Sequence, residues 1–575
     1  MKNMRTLVAG LLCVALLTGL WACSETDKGN RAVARFKLLD MVPADTPYVA
    51  ASSRELPESL SLHMLKAAAM NENGEQIKQA LESDDSPEES ARHQLLKLAY
   101  AVNAELEGKL TPEGLASLGF PLNGRSLVYG LGILPVSWIE TVDPAKVDAF
   151  LDRVETRAGV QSQRATLGEI DYRRFDFEDL LGILAQKNDY LVAALIPRKS
   201  EAELLPLVFG DRKPWKSMAD TGEFKKFNAK HGFLGYGEGY IDLVQLVEMG
   251  LGESRGINAQ VLQALGAEPE AVSPACRNLI RHMVQSVPRI GFGFTEAKAD
   301  RYTMQGVVET SPAVAEWLKR LPAPVPGLGN EADAMFSLGM GLNLPVLRDG
   351  LKALLGTVLE QGKGCEDVDQ EELAQNMQAL DMMLNPMFAG IKGFNLVINR
   401  VELDPATQEP KSVDARFVLA ATDPRGMFGM LAMLNPRLAT LQIPSDGTPV
   451  ELPLKEMTPA SLPAWVAIKG EALGLFVSPE APKDVGKVLT APPAPSVLFA
   501  LGYNVKKLLQ EVGPSMEQGI GTLEGEDAEN AREAYEALKR TASLYDQVRF
   551  DVLGDEHGLI FSGRVLFNAN PQNER

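Results

Sequence analysis

Histidine and cysteine are scarce in this chain: five of the one and four of the other in 575 residues. The histidines (His63, His93, His231, His282, His557) form no H-x-x-x-H or H-E-x-x-H pair. A zinc centre needs three or four ligands in set geometry, so no metal site and no cofactor are expected. Clusters of lysine and arginine are missing as well, in a chain whose formal charge is −19. Such a surface repels phosphate, which excludes nucleic acid as a partner and gives no pull toward anionic lipid. The acidic turns at 83–89 and 365–372 lack the alternating ligands and central glycine of a calcium loop, and read as solvated turns. The apolar run at residues 7–20, roughly 14 residues, is too short for a stop-transfer helix.

That run is nevertheless informative. Lys2 and Arg5 precede it, and Leu20-Trp21-Ala22-Cys23 follows it. The segment resembles the lipobox of bacterial lipoproteins, in which the cysteine becomes the diacylated N-terminus after cleavage. Leu20, Ala22 and Cys23 match the pattern, while Trp21 departs from it. The resemblance implies a signal peptide at 1–22, a lipidated Cys23 with a polar tether through residue 40, and no transmembrane helix. Ser24, in place of aspartate, resembles the sorting signal for the outer membrane, which implies a periplasmic-facing, membrane-anchored protein. Several acyl chains anchor stably where one does not. Cys13 leaves with the signal, so Cys276 and Cys365 remain as a possible disulfide in an oxidising compartment, joining the two halves of the chain; two separate buried cysteines are the alternative.

Length alone calls for more than one core. Residues 321–330, Leu-Pro-Ala-Pro-Val-Pro-Gly-Leu-Gly-Asn, read as a linker, and the text on its two sides runs in parallel. Asp45 and Tyr48 open an apolar strand as Asp333 and Phe336 do. Strands at 126–133 and 414–421 precede Asp143-Pro144 and Asp423-Pro424, each an N-cap followed by proline at the first helical position. Each half ends in a hairpin, 289–295 with 302–310 and 547–553 with 559–567. The expected fold is α+β: two tandem homologous domains, 41–320 and 331–570, each a mainly antiparallel or mixed sheet with covering helices, then a short tail at 571–575. At Pro43-Ala44-Asp45-Thr46 and the strand-helix pattern, the chain resembles a class of exported bacterial proteins grouped as a domain of unknown function; that resemblance implies no catalytic residue.

Three patterns touch chemistry. Gly252-Glu253-Ser254-Arg255-Gly256 matches the G-x-S-x-G elbow of hydrolases, but it follows a helical stretch rather than a strand; Ser254 with His231 or His282 is the only catalytic set on offer. Gly235-Tyr236-Gly237-Glu238-Gly239 is half a dinucleotide fingerprint, better read as alternate glycines that let a helix pack closely. Met427, Met430 and Met433 fall on one helical face, either as core or as an adaptable apolar contact surface. The expectation is a non-enzymatic binding or scaffold protein of the envelope, its partner a protein or a hydrophobic ligand. A lipid carrier is the alternative, and a hydrolase using Ser254 the second alternative.

Overall fold

The computed structural model describes residues 37–69, 73–87, 90–267, 271–331, 333–383, 390–404, 409–435, 437–453 and 462–568. Cys23, the signal segment and the tail lie outside them. The protein is mixed α/β with antiparallel strand pairing. It divides into two compact units, one ending at Val272 but including Val287–Met304, the other made of Ser273–Ser286 and everything from Gln305.

The first unit carries β1 (Tyr48–Ser52), β2 (Ser126–Leu131), β3 (Leu134–Glu140), β4 (Gln163–Leu167), β5 (Ile170–Phe177), β6 (Leu180–Lys187), β7 (Tyr190–Pro197), β8 (Tyr236–Asp242) and β9 (Arg289–Lys298). The division between units falls within β10 (Arg301–Glu309). The first sheet runs β9-β8-β1-β2-β3-β7-β6-β5-β4. Its centre is buried on both faces, with Trp138, Tyr129 and Leu127 on one and Ile139 on the other, all at 1% exposure or less, which is why β2 and β3 read as near-continuous apolar runs.

The second unit carries β11 (Phe336–Gly341), β12 (Ile391–Leu403), β13 (Pro410–Ala421), β14 (Val450–Leu452), β15 (Ala464–Lys469), β16 (Ala472–Val477), β17 (Val497–Asn504), β18 (Tyr545–Asp555) and β19 (Gly558–Phe567). Its order is β19-β18-β17-β11-β12-β13-β16-β15-β14. From β18 to β14 this is the order of the first unit from β9 to β5.

The Asp-Pro starts form as the sequence predicts. Asp143 accepts from the Lys146 amide and Asp423 from the Gly426 amide, each with proline at the first turn. The strands before them need re-pairing, however. The strand leading to Asp143 is β3, not the 126–133 stretch, so β13 corresponds to β3 and β12 to β2. The sequence hides this because β2 and β3 are joined by the two-residue turn Gly132-Ile133, with no polar punctuation.

The Pro/Gly stretch also differs from the linker expected of it. Leu321, Ala323, Val325 and Leu328 are buried, the last two completely, and Val325 and Leu328 pack with Ala420, Val497 and Ala500. The segment lies as a strap over one face of the second sheet. Asn395 donates to the Pro326 carbonyl at 3.1 Å, and Arg549 to that of Gly329 at 2.5 Å. Gly339 gives it room: a Cβ there would stand 2.6 Å from Leu328 and 2.9 Å from the Phe394 carbonyl. Gly339→Ala is expected to cost about 2 kcal/mol by overpacking, measured as a lower urea midpoint with an unchanged denaturant slope.

Candidate functional site

Under the strap, the second sheet presents small residues, among them Ser337, Gly339, Ala420, Ala500 and Gly502. Its opposite face carries the large ones. Register places Phe417, Leu396, Leu338, Leu501 and Phe550 side by side across β13, β12, β11, β17 and β18. The next row is Leu419, Phe394, Met340, Phe499, Val552 and Phe561. None of these side chains is fully buried; Met340 is 39% exposed and Phe550 38%. The helix Leu344–Gln361, rich in leucine and valine, also buries no residue completely. Burying an apolar side chain contributes about 1.5–3 kcal/mol; Leu419 and Val552 take up part of that gain by packing against buried clusters, while Met340 and Phe550 leave part of theirs unrealised.

The first sheet repeats the arrangement. Tyr48, Ile241 and Ile290 form one row across β1, β8 and β9, and Ala50, Gly239 and Phe292 the next. Ile241 and Ile290 are each 40% exposed and Phe292 36%. By strand order and register Phe292 stands where Phe550 stands, and Tyr48 where Phe336 stands.

A second feature lies in the first unit. An apolar cavity of about 140 Å³ lies between the helices Ala91–Leu106 and Pro144–Ala158 and strands β5–β7. Leu95, Val102, Phe150, Phe175, Phe177 and Ile183 are among its walls, with Asn103 and Glu155 its polar lining. Cavities of about this size and character take up benzene-sized molecules. On the helix Ala91–Leu106, Glu105, 6% exposed, accepts from Arg153 at 2.8 Å and Arg157 at 2.9 Å, with Lys109 at 3.4 Å. Burial pushes the Glu105 carboxyl up, and the hydrogen bonds and positive charge of these three outweigh it, leaving the group below its usual range.

No family model, curated protein or solved structure matches this chain.

The residues singled out in the sequence are placed as follows. Met427 and Met430 are half-buried on the helix Pro424–Leu434 and Met433 is 78% exposed, while Phe428 and Ala432 supply the buried face. Cys276 and Cys365 are joined by a disulfide. Both fall in the second unit, because helix Pro274–Ser286 packs with it, so the bond closes within that unit. Ser254 sits in the loop between helices Leu243–Gly250 and Gly256–Ala264, after a helix and not at a strand end. His231, packed between Phe227 and Phe233, has its ring 4.8 Å from the first, and His282 is an exposed residue of the second unit. Neither hydrogen-bonds Ser254, so the structure assembles no triad there. In the acidic turns the carboxylates have structural work: Asp84 bonds Ser86 and His93, and Asp369 caps Gln370–Met383 through the amides of Glu371 and Glu372.

The glycine-rich stretch is neither a cofactor loop nor a helix seat. Glu238 is completely buried on β8, and its carboxylate accepts from the amides of Gly235, Tyr236 (2.9 Å) and Gly237 (3.2 Å). Gly235 and Gly237 have φ of 98° and 124°, which turns their N–H groups onto the carboxylate. Burial pushes Glu238 up in pKa against the pull of these donors.

Proposed function

We propose that this chain is an outer-membrane lipoprotein, anchored through Cys23 and facing the periplasm, built of two tandem homologous α+β domains. Its work in this reading is binding, not catalysis: each domain offers the open apolar face of its sheet to a hydrophobic segment of an envelope partner. The observation that carries the reading is the pair Phe292 and Phe550, equivalent in strand order and register and exposed to nearly the same degree. Chance exposure of a large apolar residue is common; the same exposure at the same position of two sheets is what a retained contact surface produces. The shared strand order supports the duplication.

Photo-crosslinking in cells tests it. A benzophenone side chain at position 550 or 292 is expected to capture a defined partner, and one at exposed Arg564 is not. Phe550→Asp should lower recovery of that partner at least tenfold, as truncation of a central apolar anchor does. Equal labelling at all three positions, or none, would sink the reading.

The cavity of the first unit favours a second reading, a carrier of a small hydrophobe. Native mass spectrometry of the soluble form starting at Ser24 decides it: a bound mass lost on denaturation supports the carrier, and a clean apo mass removes it.

A further inference from the structure

Trp215 is fully exposed, at 103% of its reference surface, in the loop Asp211-Arg212-Lys213-Pro214-Trp215-Lys216. The loop is held in place. The Lys213 ammonium lies 3.1 Å from Asp40, the Ala44 amide donates to the Lys216 carbonyl at 3.0 Å, and the Met218 amide to that of Val42 at 2.8 Å. Ser217 then starts the helix Met218–Thr221 with a capping box closed by Asp220. These bonds anchor the loop on both sides of the exposed indole. Arg212, Lys213, Lys216 and Lys37 are all exposed around it. The acids near them are Asp211, paired with Lys187, Asp40, paired with Lys213, and Asp220 of the capping box. Arg212 donates to the Glu203 carbonyl. Counting Lys187 and Glu203 with them, five basic side chains stand beside four acidic ones, a local excess of one positive charge in a chain of net charge −19.

The place matters as much as the composition. Residues 40–44, to which the loop is bonded, directly follow the segment that joins the fold to Cys23. Residues 24–36 cannot span more than about 45 Å even fully extended. A lipid on Cys23 therefore keeps this end of the first unit close to the bilayer.

We propose that the Trp215 loop is a second membrane contact: the indole enters the headgroup region of an anionic phospholipid surface while Arg212, Lys213 and Lys216 meet its phosphates. Indole rings favour that depth, with an apolar body and a hydrogen-bonding edge, and basic residues are drawn to anionic headgroups. The contact orients the first unit on the membrane and leaves the lipid chains to hold it there. It rests on the lipid-anchor reading for its location.

The test uses the lipidated full chain on vesicles of phosphatidylethanolamine and phosphatidylglycerol with brominated acyl chains. Bromine is expected to quench part of the tryptophan emission, and W215F, silent but still able to insert, should lose most of that quenching. In the soluble form starting at Ser24, Arg212→Ala, Lys213→Ala and Lys216→Ala should each weaken vesicle binding about fivefold. Quenching unchanged by W215F on vesicles that carry the acylated protein overturns the proposal and leaves the anchor standing. A protein mass without acyl chains overturns the anchor instead. The soluble form at high lipid then decides the loop alone: Trp215-dependent quenching supports it, and its absence sinks it.

Discussion

Replacing Cys276 and Cys365 by serine is expected to lower the stability of the second unit by about 4.6 kcal/mol. The bond closes a loop across a sequence separation of 89, and in the chain-entropy account a loop of that size restricts the unfolded chain by that amount. Folded-state packing offers little replacement. Cys276 lies on helix Pro274–Ser286, and Cys365 follows helix Leu344–Gln361, which buries no residue completely, and precedes helix Gln370–Met383. Chemical denaturation of the double variant should show the second unit melting first, with the transition of the first unit unmoved. Hydrogen exchange should be fastest in the three helices around the lost bond. A loss below about 1 kcal/mol would mean that these helices are held by side-chain packing after all.

What the sequence disclosed and what it hid divide along physical lines. The Asp143 and Asp423 caps were legible because a cap is a local event, complete within four residues. The closing hairpins were legible for the same reason. The strap was not, because three prolines and two glycines describe a connector by composition, whereas its fate is decided by Leu321, Val325 and Leu328 meeting a sheet of small residues. Glu238 was invisible as a buried carboxylate because its solvation comes from backbone amides turned by two positive-φ glycines. The open sheet faces were hidden too. Phe292 and Phe550 acquire meaning only through pairing, which sets each beside a row of residues distant in sequence.

Arg173 makes the same point about the fold, and its replacement should have the other large effect. It lies on β5, 2% exposed, and its fork reaches three carboxylates of helix Pro144–Ala158: Asp148 at 2.5 Å, Asp152 at 2.7 Å, and Glu155. Arg173→Met should destabilise the first unit by about 3 kcal/mol, the low end for breaking a buried pair, because Asp148 and Asp152 reach solvent and buried Glu155 keeps its hydrogen bonds from the Ser162 amide and hydroxyl. Arg173→Lys keeps the charge but loses the fork, and should recover part of that loss. The pH dependence separates charge from packing. Burial raises the Asp148 carboxyl, and Arg173 and Arg164 outweigh it, so its folded pKa lies below the unfolded value. Such a group stabilises the fold above the ordinary carboxylate range, near pH 4, and that contribution is lost as pH falls through the folded pKa. The gap between wild type and Arg173→Met should therefore be widest near neutrality and narrow toward pH 3 in urea melts. A gap of equal size at both pH values would show that the ion pairs of Arg173 contribute nothing.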